Sequence, residues 1–290
     1  MIELSGSTNF LSRLVLMSQL FGKKINSQKS KEQLFFEFPI FLPELTSSTN
    51  FLFKGVILVG YELVLLAAGQ GRRMKASKNK ILLHLLGKPV IEYALTTFVN
   101  DADCQHIVLV VEKKEKELIE AVLAQNEFAA KVPITVVIGG KERQDSVYNG
   151  LQYLKKQTGV VLIHDGARPF LEANLIKKLY QKAQRTNATI VGVPVKDTIK
   201  KVVEGKVDQT IPREELWQIQ TPQAFQISFI QEVHERARQE GFFGTDDASL
   251  VEHYGYAVEV TEGSYMNIKL TTPDDLVIGE AILKMKERGN

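Results

Sequence analysis

From residue 62 onward the chain alternates short apolar runs with segments of helical period. This alternation narrows the possible folds more than any other feature. Glu62–Ala67, His106–Glu112, Ile134–Ile138, Val160–His164 and Thr189–Pro194 read as strands. Pro89–Asn100, Lys113–Gln125, Arg143–Lys156 and Leu171–Thr186 read as helices. The first has proline at its first turn, and the second has Leu118, Ile119 and Val122 on one face. Strands that are apolar on both faces and separated by helices need a parallel sheet covered on both sides. The expected fold is therefore α/β, a doubly wound, mostly parallel three-layer sandwich. Ligands of such sheets sit outside the carboxyl ends of the strands. Four polar loops begin there, at Ala67-Ala68-Gly69, Gly139-Gly140, Asp165-Gly166 and from Pro194 on, which predicts one pocket. The alternation breaks over 195–220. There Lys196–Val202 and the turn Glu204-Gly205-Lys206 predict a protruding β-arm that packs on a partner. Helices resume at Ile227–Gln239 and Asp246–Tyr254. A strand pair around Val258–Val260 and Ile268–Leu270 is expected next, then a final helix from Pro273.

The first of the four loops says most about the ligand. The apolar run Leu63–Leu66 ends in Ala67-Ala68-Gly69-Gln70-Gly71-Arg72-Arg73-Met74, with Lys80 following. Glycines let backbone N–H groups approach a ligand, and a turn of such groups forms an anion-binding nest. Basic side chains beside that nest suit a polyphosphate. A dinucleotide fingerprint is excluded, because Met74 stands at its last glycine and Asp101 and Asp103 come too late for its acid. The phosphate loop of ATPases, G-x-x-x-x-G-K-[ST], does not occur. What remains, A-A-G-x-G-x-R-M and then lysine, resembles the nucleotidyltransferases.

Two further loops carry chemistry. Asp165 closes its strand in Ile163-His164-Asp165-Gly166-Ala167-Arg168-Pro169. A carboxylate there can hold Mg²⁺ or bond a ribose hydroxyl, or it can pair with Arg168 as a structural turn. His164 reads as a packed strand residue rather than a catalyst. Gly139-Gly140, with Ser146 on the helix that follows, can read a base edge, although glycine also serves simple packing at such a turn.

Composition bounds the alternatives. The chain has 290 residues, room for one large α/β domain or two small ones. Its formal charge of +2 supports neither a nucleic-acid nor a membrane partner. The single cysteine, Cys104, excludes an internal disulfide and fits a reducing, cytoplasmic compartment. No Cys/His cluster has zinc-ligand spacing. Residues 1–58 stand apart: they hold eight of the fifteen phenylalanines, eight serines and no tyrosine, and without them Lys/Arg and Asp/Glu balance at 30 each. Glu3 and the lack of a basic leader argue against a secretory signal, and Lys54 and Glu62 interrupt the apolar stretch before Leu66. The segment is expected to be an extension outside the catalytic fold, poorly ordered or arising from a start codon placed too early, with the catalytic domain spanning 59–290. Mass spectrometry of the native N-terminus decides the last point.

The motifs together resemble the 2-C-methyl-D-erythritol 4-phosphate cytidylyltransferases. The loop Ala67–Met74 with Lys80 is similar to the first signature of that family, and His164–Pro169 to the second. Pro194–Thr198, Arg213 with Leu216-Trp217, Thr221-Pro222-Gln223, Thr245–Ser249 and Asn267–Leu276 follow in family order, from about residue 61 to the end. The resemblance implies a Rossmann-like nucleotidyltransferase that binds CTP, a sugar-alcohol phosphate and Mg²⁺, and that forms a homodimer through the arm. It assigns Arg73, Lys80 and Lys269 to catalysis. CTP falls to Ala67, Ala68, Gly69, Gly71, Gly140, Ser146, Asp165 and Gly166, and the metal to Asp165. The acceptor falls to Arg168, Arg213, Thr221, Thr245 and Lys269, with Arg213 reaching the other subunit's site. Two positions depart from the family pattern: Asn79 replaces a common proline, and Met266 an acid found in some relatives. A ribitol 5-phosphate cytidylyltransferase and a non-catalytic sugar-nucleotide-binding protein are the alternative readings.

Overall fold

A computed structural model describes residues 60–69 and 80–288, with side chains from Ile81 on in the second span. The expectations for residues 1–58, Gly71, Arg73 and the Lys80 side chain lie outside the described residues. Strand β1 (Tyr61–Ala67) leads, and a short 3-10 turn (Lys80–Leu82) and the small hairpin β2 (His84–Leu85) and β3 (Lys88–Pro89) follow the loop. Then come α1 (Val90–Val99), β4 (Cys104–Val111), α2 (Lys116–Gln125), α3 (Phe128–Lys131), β5 (Ile134–Ile138) and α4 (Arg143–Leu151). The second half holds β6 (Val160–Asp165), α5 (Ala173–Ala183), β7 (Ala188–Pro194), β8 (Ile199–Val203), β9 (Lys206–Ile211) and β10 (Trp217–Gln226). The chain continues through α6 (Ile227–Glu240), α7 (Asp247–His253), β11 (Glu259–Glu262) and α8 (Pro273–Arg288).

The main sheet has the order β11-β7-β10-β6-β1-β4-β5. Its neighbours run parallel except at β10, which is antiparallel to both β6 and β7. The expected doubly wound sandwich is thus present. Alternation along β1 sends Leu63 and Leu65 into one core with Ile91, Leu95 and Phe98 of α1 and Leu179 of α5. Val64 faces the opposite core with Val147 and Leu151 of α4 and Ile230 of α6. A third, smaller core joins Leu85, Val90, Phe170, Leu270 and Ile282, so α8 packs behind the loops at the carboxyl end of the sheet.

Several expectations need correction. Helix α4 stops at Leu151 rather than Lys156, because the Lys155 and Lys156 N–H groups donate to the buried Glu62 carboxylate at 2.9 and 2.7 Å instead of to helix carbonyls. Strand β10 was not expected. Its centre, Gln220-Thr221-Pro222-Gln223, is polar and carries a proline, so it lacks the apolar pattern of a buried strand, yet Gln220, Thr221 and Gln223 are buried and hydrogen-bonded. Ile268–Leu270 forms no strand. The Leu270 N–H donates to the Ala167 carbonyl at 2.9 Å, which ties the segment to the turn after β6. The strand expected at Val258–Val260 is β11, and it pairs with β7 rather than with that segment.

The hairpin β8–β9 forms a separate two-stranded sheet. Val202, Val203 and Val207 on it are 55, 51 and 62% exposed, so these three valines find little cover among the described residues. No described helix is long and apolar enough to cross a membrane.

Candidate active site

The carboxyl ends of β1, β5 and β6 assemble the loops singled out in the sequence. Leu66 is in register with Asp165, and the Gly166 N–H donates to the Leu66 carbonyl at 2.9 Å. A Cβ at Gly166 would meet Ile91 Cδ1 at 2.6 Å and the Leu66 carbonyl oxygen at 3.0 Å, so only glycine permits this approach. The loop after β5 closes from the other side. A Cβ at Gly139 would come within 2.6 Å of Ala68 Cβ and 2.8 Å of Ser146 Oγ. Ser146 Oγ accepts from the Gly140 N–H at 3.0 Å and donates to the Glu142 carbonyl at 3.1 Å. Ala67, Ala68, Gly140 and Ser146 therefore lie along one rim, where Gly69 is exposed.

Asp165 is the electrostatic centre. Its Oδ2 receives Lys269 Nζ at 2.5 Å, and its Oδ1 faces Arg143 Nε at 3.5 Å, an ion pair too long for a hydrogen bond. Burial opposes its ionisation, but Arg143 first and Lys269 next hold its carboxyl well below the usual carboxylate range. The Asp165 N–H donates to Thr221 Oγ1 at 3.1 Å, which brings β10 to the same point. Burial pushes the neighbouring His164 imidazole down to about 4, and it bridges Thr221 Oγ1 and the Arg168 carbonyl at 3.1 Å each. It is neutral at pH 7, as expected of a packed strand residue. Arg168 does not pair with Asp165 through its side chain. Its Nη1 donates to the Asn267 carbonyl at 2.7 Å, bracing the segment that carries Lys269.

The remaining candidates make no described side-chain contact with Asp165. Arg213 is exposed after the hairpin, and its guanidinium donates to the Lys196 carbonyl. Thr245 is exposed just before the Asp246 cap of α7. Arg143 is the residue that sequence reasoning missed. It stands three residues after Gly140, but its partners Asp165 and Asp247 come from distant stretches of chain, and no local pattern announces that convergence.

Among the described residues no three carboxylate, histidine or cysteine side chains converge as a metal cage. A single buried carboxylate nonetheless suits Mg²⁺, which binds through one or two carboxylates while substrate phosphates and water complete its shell. Asp165 is such a donor, and its all-oxygen chemistry fits a hard cation. The surrounding cations, Lys269, Arg143 and Arg168, favour an anionic ligand.

Similarity to known proteins agrees with this geometry. The family model described as "IspD: 2-C-methyl-D-erythritol 4-phosphate cytidylyltransferase" matches residues 61–285. The protein of that name from Bacillus velezensis is 51% identical over 231 residues, which cover 79% of this chain and 98% of the relative. Its counterpart from Geobacillus kaustophilus is 51% identical over 225 residues, covering 78% and 97%. The crystal structure of 4-diphosphocytidyl-2C-methyl-D-erythritol synthase from Anaerococcus prevotii superposes with a TM-score of 0.69 at 32% identity, covering 78% of this chain and 97% of that one. The chain belongs to the 2-C-methyl-D-erythritol 4-phosphate cytidylyltransferase family.

Proposed function

We propose that the protein transfers CMP from CTP to 2-C-methyl-D-erythritol 4-phosphate. The reaction releases pyrophosphate and forms 4-diphosphocytidyl-2-C-methyl-D-erythritol, a step of non-mevalonate isoprenoid precursor synthesis in the cytoplasm. Beside the family membership, the observation that carries this reading is the ionised Asp165 held against Lys269 at the mouth of the sheet, one strand from the run that enters the phosphate loop. An oxygen of the acceptor's phosphate attacks the α-phosphorus of CTP, the bond to the β-phosphate's bridging oxygen breaks, and pyrophosphate leaves. A phosphate monoester has its second pKa at about 6, so the nucleophile is largely ionised at pH 7 and needs no general base. The neutral, enclosed His164 is consistent with that economy. Catalysis then consists of positioning and charge stabilisation.

The residues divide the work. Ala67, Ala68, Gly69 and Gly71 offer backbone amides to the triphosphate, and Arg73 and Lys80 offset the charge that builds on the leaving pyrophosphate. Gly140 and Ser146 meet the base, and Asp165 and Gly166 the ribose side. Lys269, freed in part from Asp165 when anionic ligands enter, neutralises the phosphates at the reacting centre. Thr221, Thr245, Arg168 and Lys269 border the acceptor. Asp165 would hold Mg²⁺, which when bound supplies charge neutralisation on phosphate oxygens. The exposed valines of the β8–β9 arm support a homodimer, and the family resemblance assigns Arg213 to the partner's acceptor site.

Pyrophosphate release with CTP and Mg²⁺ across a panel of polyol phosphates tests the reaction. Release with the methylerythritol phosphate is expected, and chelation of Mg²⁺ should abolish it. Release confined to ribitol 5-phosphate, or none with any acceptor, would overturn the assignment. For the arm, Arg213→Ala should chiefly raise KM for the acceptor. Mixed with Lys80→Ala it should regain one working site per dimer, and confirmed heterodimers no more active than their parents would rule out the cross-subunit role.

A further inference from the structure

The charges at the mouth of the sheet continue inward, away from the loops that face solvent. Arg143, the first residue of α4, sends Nη1 to Asp247 Oδ2 at 2.9 Å while its Nε faces Asp165. Asp247, the first residue of α7, is 1% exposed, and its Oδ1 lies 3.1 Å from Nε2 of His234 on α6, equally buried. Burial opposes the Asp247 charge, but Arg143 and then His234 hold its pKa below the ordinary value. Asp247 and Asp165 likewise hold the Arg143 guanidinium above its usual pKa against the cost of burial. The His234 Nδ1 is buried without a partner, which fits the tautomer with its proton on Nε2, donating to Asp247.

The reaction described above needs no group as deep as His234 or Asp247, and their burial calls for another reason. Four buried side-chain polar atoms without a hydrogen-bond partner among the described residues fall in or beside this chain of charges, namely Arg143 Nη2, His234 Nδ1, Arg168 Nε and Asn267 Oδ1, while Asp247 Oδ2 has the Arg143 ion pair alone. The ion pairs themselves tie the starts of α4 and α7 and the middle of α6 to the end of β6. The same helix start also grips the loop before Thr245. Gln144 Nε2 donates to the Phe242 carbonyl at 2.9 Å, and its Oε1 accepts from the Gly244 N–H at 3.0 Å. Gln223 of β10 donates to Asp246 Oδ2 at 2.6 Å from the other side.

We propose that Arg143 is a positioning residue for nucleotidyl transfer. Aligned by Asp247 and His234, it orients the Asp165 carboxylate and joins the base-side loop at Gly140 to the acceptor-side loop at Thr245. The fork of a guanidinium reaches two carboxylates at once, whereas a lysine ammonium is one point of charge, so Arg143→Lys is not a conservative change here. The proposal rests on the function proposed above.

Steady-state kinetics, CTP binding by calorimetry and thermal unfolding of the full chain test it. Asp247→Asn and Arg143→Lys should lower kcat about tenfold to a hundredfold, the scale expected when a reacting group is misplaced by about 1 Å. The dissociation constant for CTP should change by less than about threefold, under ~0.7 kcal/mol. His234→Leu should lower kcat as well, and His234→Gln, which keeps a donor for Asp247, should recover most of it. Wild-type kcat per folded molecule in Asp247→Asn and His234→Leu would overturn the proposal, as would a loss in His234→Leu that His234→Gln repeats in full. Should Asp247→Asn fail to fold, the two His234 variants decide alone. Turnover by the unaltered chain reports separately on the function, and its absence with these substrates would remove that reading and this proposal together.

Discussion

At the amino end of β1, Glu62 is closed on every side. It holds His106 Nδ1 at 2.7 Å and the Lys155 and Lys156 N–H groups, while His106 Nε2 meets Thr135 Oγ1 at 2.9 Å. The two side chains are 1 and 2% exposed. At the carboxyl end of the neighbouring β6, Asp165 is also paired with cations, but the group is open. Lys269 and Arg143 remain 33 and 29% exposed, and buried nitrogens of Arg143 and Arg168 have no partner among the described residues. Both ends hold a carboxylate beside basic groups, yet one is complete and the other carries surplus positive charge. A satisfied network fixes a fold, whereas an unsatisfied one at a strand end waits for an anion.

Substitutions on each side can break or sharpen this contrast. The largest effect is expected at the open end. Lys269→Ala should lower kcat/KM about 100- to 1,000-fold, the cost of losing one preorganised charge donor, with little change in melting temperature. Activity close to that of the unaltered protein would place Lys269 outside the reacting centre. At the closed end the balance should reverse. Glu62→Gln removes one partner of a buried pair and should cost about 3 kcal/mol of stability. For a domain of this size that is roughly 6–12 °C in melting temperature. Turnover per folded molecule should not change, and a variant that melted normally but turned over slowly would erase the distinction between the two ends.

The same network sets an acid limit on stability. Burial raises the Glu62 pKa, but hydrogen bonds from His106, Lys155 and Lys156 outweigh it, so the folded value lies below the usual 4.5. Folding is then stabilised above pH 4.5, and this contribution fades as pH falls from there through the folded value. In Glu62→Gln the melting temperature should depend less on pH below 4.5, and an unchanged acid slope would show that Glu62 does not set it. The smallest effect on the subunit itself is expected on the arm. The Lys201–Asp208 pair there is exposed and contributes at most ~1 kcal/mol. Val207→Asp should leave the unfolding of the subunit nearly unchanged and shift a dimer toward monomer on a sizing column. A large loss of subunit stability would mean that the arm packs on its own domain.

Much of this arrangement was legible in the sequence, because parallel strands and their glycine turns are local patterns. β1, β4, β5, β6 and β7 appeared as apolar runs, and Asp165-Gly166 stood out at the end of one of them. β10 did not, since its buried glutamines and Thr221 are satisfied only by partners on β6, α7 and the 264–267 segment. Arg143 was hidden for the same reason. Its role depends on three helix and strand ends brought together by the fold, and a charged residue at a helix start looks no different when its partners are far away in sequence.

Pyrophosphate release by Asp165→Asn, measured with CTP, Mg²⁺ and 2-C-methyl-D-erythritol 4-phosphate and normalised to folded protein, tests the central claim most directly. The expected result is a loss of about 100-fold or more in turnover per folded molecule. Turnover near that of the unaltered protein would show that Asp165 is not where the reaction takes place.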